Sequence, residues 1–300
     1  MSIIEQATRR LEELRRAGIE VPHGTRADAG EVPGAAAVRP LRINRDAPPA
    51  SEAERAAHAT RPARPVEIDL DSLAAQGYLT PGLANRALAE EFRVIKMQLL
   101  RNMDAAAAKG LRRNLIAVTS ALPGEGKTFF SMNLAMSLAM EVDYHALLVD
   151  ADVLLPSVLR RYGLAEDVGL LDLATRPDLD VSDALLRTNV PKLTLLPAGT
   201  PSAKSPELLS SASVERLLNE LADRYADRIV IFDAPPILLA SGARHLASRV
   251  GQVVMIVEAD RTDSQSVAQA FAAVETCPLV SSVLNRAQTK TASSYGYYDV

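Results

Sequence analysis

The sequence predicts a doubly wound α/β domain with a mostly parallel β-sheet, and three observations support this prediction. Short apolar runs alternate with stretches of helical periodicity between about residues 80 and 288. Each run is nearly continuous in its hydrophobicity, as expected of strands that helices cover on both faces. The chain has 300 residues, 48% of them hydrophobic, which is enough for one good-sized core with extensions at both ends.

The apolar runs place six strands in order along the chain, several of them rich in the strand-favouring residues Val and Ile. The predicted strands span residues 115–118, 146–149, 193–196, 229–232, 253–257 and 280–284. One helix is predicted from about residue 82 to 108, before the first strand, and another over 129–140, shortly after it.

The segments before this domain differ from it in composition. Apolar residues recur at spacings of three and four within residues 1–20, which predicts a short amphipathic helix. These residues are Ile3, Ile4, Ala7, Leu11 and Leu14. Their apolar stripe needs a partner, either the chain's own domain or another protein. Residues 21–66 hold seven of the 18 prolines and no aromatic residue, so we expect a disordered linker there and the folded domain over 67–288.

Composition and charge argue against several classes of function. A net charge of −4, with scattered basic residues, predicts no nucleic-acid partner. Cys277 is the single cysteine and cannot form an internal disulfide. No run of 18 or more apolar residues occurs, so we expect no direct membrane span. These features predict a cytoplasmic protein, in which any association with a membrane would come through a partner.

A glycine-rich turn follows the first predicted strand. It passes through Gly124 and Gly126 to Lys127 and Thr128 and into a helix, as in a Walker A loop, with Ala121 in place of the usual first glycine. The glycines let backbone N–H groups curl around phosphate oxygens, and the helix N-terminus adds its dipole. Lys127 would neutralise the β and γ phosphates, and Thr128 would offer its hydroxyl to Mg²⁺. The residues predicted to bind a nucleotide here are Pro123, Gly124, Glu125, Gly126, Lys127, Thr128 and Phe129.

Acidic residues follow two later strands at the predicted carboxyl edge of the sheet, where ligands bind in open α/β folds. Asp233 follows the fourth predicted strand, as a Walker B acid that holds Mg²⁺ would. Asp150 and Asp152 follow the second strand, and one of them could accept the proton of an attacking hydroxyl while the other helps to bind the metal. We therefore expect Lys127, Asp150 and Asp152 to be catalytic, and Thr128, Asp152 and Asp233 to hold Mg²⁺. The alternative for the Asp-x-Asp pair is an ordinary solvated turn.

These motifs together resemble those of the bacterial tyrosine kinases of exopolysaccharide and capsule loci, which are built on the P-loop fold of the partition ATPases. The resemblance covers residues 68–300 and includes the stretch 197–209. It implies a tyrosine autokinase that uses ATP and Mg²⁺ and serves polysaccharide assembly or export. An inner-membrane polysaccharide co-polymerase, or chain-length protein, is implied as the activating partner. The charged N-terminal segment is similar to that of the subgroup in exosortase and PEP-CTERM export loci.

Three of the chain's seven tyrosines, Tyr295, Tyr297 and Tyr298, lie in its last six residues. Small residues around them predict a flexible tail over 289–300 that a neighbouring subunit's site can reach. A sticky terminus or an edge strand is the alternative. Because members of the family end in tyrosine-rich tails, the resemblance implies that these three residues are the phosphoacceptors. The other four tyrosines are expected to be structural.

The family also carries a Glu, Arg and Arg motif on the helix before the P-loop, which contacts the next subunit of a ring. Its match here is Glu90, Arg93 and Lys96, so the resemblance implies a homo-oligomer. The alternative is surface ion pairing along the helix. Asn285 and Arg286 follow the last strand, where related folds contact the adenine base, although a turn cap is an equally good interpretation.

The chain departs from the family after Asp152, where one or two arginines are usual and this sequence has Val153, Leu154 and Leu155. Arg160 or Arg161, a turn or more later, could supply the missing positive charge.

Two other functions stay open at this point. A partition or septum-site ATPase would act as a nucleotide-driven dimer switch and phosphorylate nothing. Such proteins carry a second lysine near the start of the P-loop, where this chain has Leu122 and Pro123. A nucleotide-binding scaffold without transfer activity is the third interpretation.

Overall fold

The computed structural model describes residues 63–82, 85–107, 114–203 and 205–288, without the side chains of 104–107. The predicted N-terminal helix, most of the predicted linker and the tyrosine tail lie outside these residues. The chain divides into two compact units, Met1–Glu54 and Arg55–Val300, and every described residue belongs to the second. None of the helices in the described part of the chain has the length and apolar composition needed to cross a membrane.

Eight strands of the described residues form one sheet. They are β1 Arg64–Pro65, β2 Leu115–Ser120, β3 His145–Asp150, β4 Leu186–Arg187, β5 Leu193–Leu196, β6 Arg228–Asp233, β7 Gln252–Glu258 and β8 Val280–Asn285. Their order across the sheet is β1-β4-β5-β3-β6-β2-β7-β8. Every neighbouring pair is parallel except β4 and β5. The predicted doubly wound, mostly parallel α/β fold is confirmed, and all six predicted strands are present.

Ten helices lie among the described residues. They are α1 Leu70–Ala75, α2 Arg86–Ala107, α3 Lys127–Ala139, α4 Val158–Arg161, α5 Leu170–Thr175, α6 Val181–Ala184, α7 Ser205–Leu208, α8 Ala212–Arg224, α9 Ser241–Ala247 and α10 Ser264–Ala273. The two predicted helices correspond to α2 and α3.

The central strands β2, β3 and β6 are buried along nearly their whole length. Their side chains alternate between two apolar layers, because successive residues of a strand point to opposite faces. On β3, Leu147 and Val149 join the layer that includes α8 and α9, whereas Leu148 joins the layer that includes α2 and α3. Burial on both faces explains why the sequence of these strands is continuously apolar.

Ordered structure begins earlier than the predicted linker boundary at residue 66. Arg64–Pro65 forms β1 and pairs with β4, with Arg64 N donating to Leu185 O at 3.2 Å and Val66 N donating to Arg187 O at 2.9 Å. A strand of two residues is too short to show a hydrophobic period. Proline is tolerated in an edge strand, because the N–H that it lacks is not needed there for pairing with a neighbouring strand. The prediction of a linker over these residues is therefore wrong.

Strands β2, β3, β6, β7 and β8 run in the same direction and end at one edge of the sheet. Asp150 at the end of β3 is in register with Asp233 at the end of β6, and Glu258 of β7 is in register with Asn285 of β8. The glycine-rich turn after β2 lies between these two pairs of strands. This edge therefore gathers most of the residues singled out from the sequence.

Candidate active site

The glycine-rich turn has the backbone shape of a phosphate-binding loop. Gly124 and Gly126 have φ values of 88° and 98°, in the left-handed region that glycine adopts without strain. Gly126 is the N-cap of α3, so the loop's N–H groups and the positive end of the helix dipole meet at the cleft. A Cβ on Gly126 would come within 2.1 Å of Asn285 Nδ2, which itself donates to Glu125 O at 2.7 Å. Any other residue at position 126 would therefore strain the backbone and displace the Asn285 side chain.

Glu125 holds the loop from behind and does not line the cleft. Its carboxylate is buried and accepts hydrogen bonds from Leu122 N at 2.6 Å, from Glu258 N at 3.4 Å and from the hydroxyl of Thr262. The side chain predicted to bind the nucleotide is therefore turned into the protein, where it ties the P-loop to the end of β7. Only the backbone of Glu125 is left to face a phosphate.

A cleft of about 890 Å³ opens in front of the loop. It is lined by Gln76, Tyr78, Pro123, Gly124, Gly126, Lys127, Thr128, Phe129, Asp152, Leu154, Leu155, Ser157, Arg160, Arg161, Pro235, Pro236, Leu239, Ala240, Asn285 and Arg286. Within it, Lys127 Nζ donates to Asp152 Oδ2 at 2.6 Å, and both side chains are largely buried. The pair brings together two residues that lie 25 positions apart in the sequence.

Asp233 lies at the floor of the site and is fully buried. Its Oδ1 accepts from Ser131 Oγ at 3.1 Å, while its Oδ2 has no hydrogen-bond partner among the described residues. Burial raises the pKa of this carboxyl, and Lys127, Thr128 and Ser131 oppose the shift. Ser131 is a residue that sequence reasoning missed.

The oxygens at this floor fit a hydrated Mg²⁺. The Asp233 carboxyl, one oxygen of which is unpartnered, interacts with the side chain of Thr128, whose hydroxyl is 3.3 Å from Ser157 Oγ. Carboxylate and hydroxyl oxygens are the ligands that Mg²⁺ prefers, and it completes its shell with water and phosphate. Within the described ranges no group of three or more His, Cys, Asp or Glu residues could hold a metal ion by itself.

Asp150 is not among the residues that line the cleft, and its role as a proton acceptor stays a prediction. Its Oδ2 accepts from Ser157 N and Val158 N, both at 2.9 Å, and its Oδ1 accepts from Asp152 N at 3.2 Å. It thereby caps α4 and shapes the turn that carries Asp152. Burial, with a smaller contribution from the charge of Asp233, raises the pKa of Asp150 to about 7. Asp152 is the member of the pair that reaches the cleft.

Three arginines line the cleft in different ways. Arg161 donates to the hydroxyl of Tyr78 at 2.9 Å, and Arg286 donates to Glu258 at 2.7 Å. Arg160 is exposed at the cleft, and its side chain makes no hydrogen bond or ion pair with the described part of the chain. Of the two candidates for the missing positive charge, Arg160 is thus the one whose guanidinium is available.

Lys96 faces the interior of its own domain, so its predicted contact with a neighbouring subunit is corrected. It is 4% exposed, and its ammonium donates to Ser137 O at 3.1 Å and pairs with Glu141. A cation placed on the last carbonyls of α3 complements the helix dipole. Glu90 and Arg93, by contrast, are exposed on α2 and pair with each other at 2.6 Å.

Comparisons with known proteins agree with this site. A family model described as an AAA domain matches residues 113–284. The chain is 30% identical over 227 residues to the tyrosine-protein kinase YwqD of Bacillus subtilis strain 168, covering 71% of this chain and 94% of that one. It is 29% identical over 191 residues to the tyrosine-protein kinase CpsD of Streptococcus agalactiae, covering 63% and 82% of the two chains.

The fold is also shared with a solved kinase domain. The crystal structure of the VpsO kinase domain matches with a TM-score of 0.52 at 29% identity, covering 64% of this chain and 97% of that one. The residues that the family model matches include the P-loop and the strands that end in Asp150 and Asp233.

Proposed function

The chain belongs to the bacterial tyrosine-protein kinases and carries their AAA-type nucleotide-binding domain, and from this premise we propose that it transfers the γ-phosphoryl group of ATP to Tyr295, Tyr297 and Tyr298 in its own tail. The observation that carries the proposal is the contact between Lys127 and Asp152 in the cleft, close to the fully buried Asp233. This arrangement supports roles for the three residues as a phosphate-binding cation, a proton acceptor and a metal-binding acid at one edge of the sheet. A tyrosine kinase needs all three.

ATP binding follows from what the P-loop residues do. The backbone N–H groups around Gly124 and Gly126 receive the phosphates, and Lys127 turns from Asp152 to the β and γ phosphates. Thr128, Asp152 and Asp233 would hold Mg²⁺, and the ion would supply positive charge that offsets the negative charge of the phosphates during transfer. Asn285 and Arg286 line the far end of the cleft, where the adenine base would lie.

The transfer step itself uses Asp152. Once Lys127 has moved to the phosphates, Asp152 Oδ2 is free to accept the proton of a tyrosine hydroxyl. The phenolic oxygen forms a bond to the γ-phosphorus, the bond from that phosphorus to the β,γ-bridging oxygen breaks, and ADP leaves. Arg160 supplies positive charge beside the transferred group, in place of the arginine absent after Asp152.

Assembly and cellular role complete the proposal. Glu90 and Arg93 contact the next subunit of a homo-oligomer, and an inner-membrane polysaccharide co-polymerase brings the kinase to the membrane as its activator. The role is regulation of exopolysaccharide synthesis and export, in an exosortase-associated locus. The exposure of Glu90 and Arg93 supports the contact between subunits. The resemblance of the charged N-terminal segment supports the assignment to an exosortase-associated locus.

One assay separates the kinase from its rivals. Purified full-length chain is incubated with Mg²⁺ and ATP, and phosphotyrosine on residues 295–298 is measured by mass spectrometry alongside release of inorganic phosphate. The proposal expects phosphotyrosine that is absent from a Lys127→Ala control. Phosphate release without phosphotyrosine would favour a partition-type ATPase, and ATP binding with neither product would favour a scaffold.

A further inference from the structure

Three leucines stand exposed around the mouth of the nucleotide cleft. Leu154 is 49% exposed, Leu155 is 74% exposed and Leu239 is 64% exposed, and all three line the cleft together with Lys127 and Asp152. Leucine is usually buried, so an exposed group of this size beside a reactive centre indicates a binding surface. We call these three residues the leucine rim.

The rim is held in a fixed place by the same turns that carry the site's acids. Leu155 N donates to Asp152 O at 3.1 Å and to Asp152 Oδ1 at 3.3 Å, so the turn bearing Leu154 and Leu155 moves with that carboxylate. On the other side, Leu239 N donates to Pro236 O at 3.1 Å, in the turn that follows Asp233. Thr119 Oγ1 anchors this second turn by donating to Pro235 O at 2.7 Å. The leucines therefore keep a constant position relative to the acids that act on the phosphate.

We propose that the leucine rim binds the tyrosine rings of the acceptor segment, residues 295–298 of a second copy of this chain. An acceptor tyrosine must bring its hydroxyl to Asp152, and its ring then passes between the leucines that flank the cleft. Leucine side chains against an aromatic ring bury apolar surface from both partners. The inference rests on the proposed function, because it names the surface that selects the substrate of that site.

The sequence of the tail and the described tyrosines favour this occupant. Tyr78, Tyr162 and Tyr225 are buried in the core and cannot enter another chain's cleft without unfolding. The fourth described tyrosine, Tyr144, is half-buried and packs against the same core. The tail instead places three aromatic rings within four residues and follows them with Asp299. The exposed Arg160 at the same mouth complements that acid. The apolar rim and its neighbouring cation thus match the order of ring and charge in the tail.

The test measures binding of a fluorescein-labelled peptide with the sequence of residues 290–300, by anisotropy, in the presence of Mg²⁺ and a non-hydrolysable ATP analogue. The protein is the full chain with its own Tyr295, Tyr297 and Tyr298 changed to Ala, so that its tail does not compete. We expect Leu155→Ser and Leu239→Ser each to weaken peptide binding about fivefold, and the double variant about 20-fold. Thermal unfolding of each variant, compared with that of the starting protein, checks folding.

Two controls sharpen the result. Val142→Ser removes an equally exposed apolar side chain, 82% exposed, that precedes β3 at the opposite edge of the sheet, and it should leave peptide binding unaltered. Changing the three tyrosines of the peptide to Phe should preserve binding, whereas changing them to Ala should abolish it. The peptide series needs no protein variant and so does not depend on folding of the leucine variants.

Three results would each contradict either the role of the leucine rim or the proposed transfer. Peptide binding that is unchanged in the double variant, or absent in the starting protein, would overturn the proposal. Loss of binding together with dissociation of an assembly in sedimentation velocity would also overturn it, because the leucines would then be a contact between copies. Peptide that binds through the rim but never becomes phosphorylated by the chain with ATP would refute the proposed transfer and leave the rim's role intact.

Discussion

Lys127 Nζ lies 2.6 Å from Asp152 Oδ2, so the cation of the P-loop and the acid of the neighbouring strand neutralise each other inside the cleft. Both groups are largely withdrawn from water, which makes leaving either one unpaired costly. Under the proposed mechanism, a nucleotide's phosphates would compete for Lys127 and thereby release the Asp152 oxygen. We therefore expect nucleotide binding and activation of the proton acceptor to be one event.

Lys127→Ala should lower nucleotide affinity by about 100-fold or more, because it removes the charge that faces the β and γ phosphates. Tail phosphorylation should be undetectable. Titration with a fluorescent ATP analogue and a phosphotyrosine immunoblot measure the two effects. Lys192→Ala, a lysine that bonds the carbonyls of Glu141 and Val142, is the control that should retain both. Undiminished phosphotyrosine in the Lys127 variant would refute the P-loop assignment.

Asp152→Asn and Asp150→Asn should differ, because only Asp152 reaches the cleft. The Asp152 variant should keep nucleotide binding, since Lys127 is already released, but should lose about 100-fold or more in kcat because an amide cannot accept the phenolic proton. The Asp150 variant should keep measurable transfer and instead lose stability. In the wild type both carboxylate oxygens accept hydrogen bonds from backbone N–H groups. The amide of Asn would place its own N–H groups against at least one of these donors, which would lose its hydrogen bond. Single-turnover rates and thermal unfolding distinguish the two. The reverse ranking of rates would restore Asp150 as the proton acceptor.

Glu125→Gln should weaken nucleotide binding about tenfold although the side chain does not line the cleft. Both carboxylate oxygens accept hydrogen bonds, Oε2 from Leu122 N and Oε1 from Glu258 N and Thr262. The amide of Gln has one acceptor oxygen, so a buried N–H loses its hydrogen bond at a cost of about 1–3 kcal/mol. We expect the P-loop to shift in response, which would weaken nucleotide binding. Isothermal titration with ADP measures the loss, and Glu166→Gln on the surface is the matched control. Equal affinities would mean that the loop does not need this anchor.

Lys96→Met should lower the free energy of unfolding by about 1–3 kcal/mol and leave the oligomeric state unchanged, because the lysine's ammonium serves Ser137 O and Glu141 within its own domain. Arg101→Met, on the exposed side of the same helix, should be nearly neutral. Denaturant unfolding and sedimentation velocity provide both readouts. Charge reversal of the exposed pair, Glu90→Arg with Arg93→Glu, tests the proposed subunit contact separately. If Lys96→Met alone dissociates an assembly, the lysine's role between subunits is restored.

The same helix illustrates what the sequence could and could not predict. The strands and the P-loop are encoded locally, by continuous apolar runs and by glycines between a strand and a helix, and both were predicted correctly. The position of Lys96 at a subunit surface was predicted wrongly, although the sequence contains a signal of its burial. Lys96 follows Phe92 by four positions and precedes Leu99 by three, so it lies on the stripe of the helix that faces the core. The burial of Glu125 had no such signal, because its partners Glu258 and Thr262 are more than a hundred residues away. Contacts of that range depend on the assembled sheet.

The order of the strands predicts which copy's tail reaches Asp152. Asp152 follows β3 and Asn285 ends β8, with β6, β2 and β7 between these two strands. Four steps of about 4.8 Å between neighbouring strands separate the two ends by roughly 19 Å. A chain's own tail leaves at the Asn285 side and would have to return along the cleft that its nucleotide fills. The tail of a neighbouring copy approaches Asp152 without crossing that nucleotide, so we expect phosphorylation between subunits.

A mixing experiment decides between the two routes. One protein carries Lys127→Ala and keeps its tyrosines, so it can only receive phosphate; the other is active but has Tyr295, Tyr297 and Tyr298 changed to Phe, so it can only donate. Transfer between subunits predicts labelled phosphotyrosine on the Lys127→Ala protein, at a rate that rises with the concentration of the active protein. Each protein alone is the control and should remain unlabelled. An unlabelled mixture, under conditions where the wild type labels itself well at a rate independent of dilution, would show that each tail returns to its own cleft.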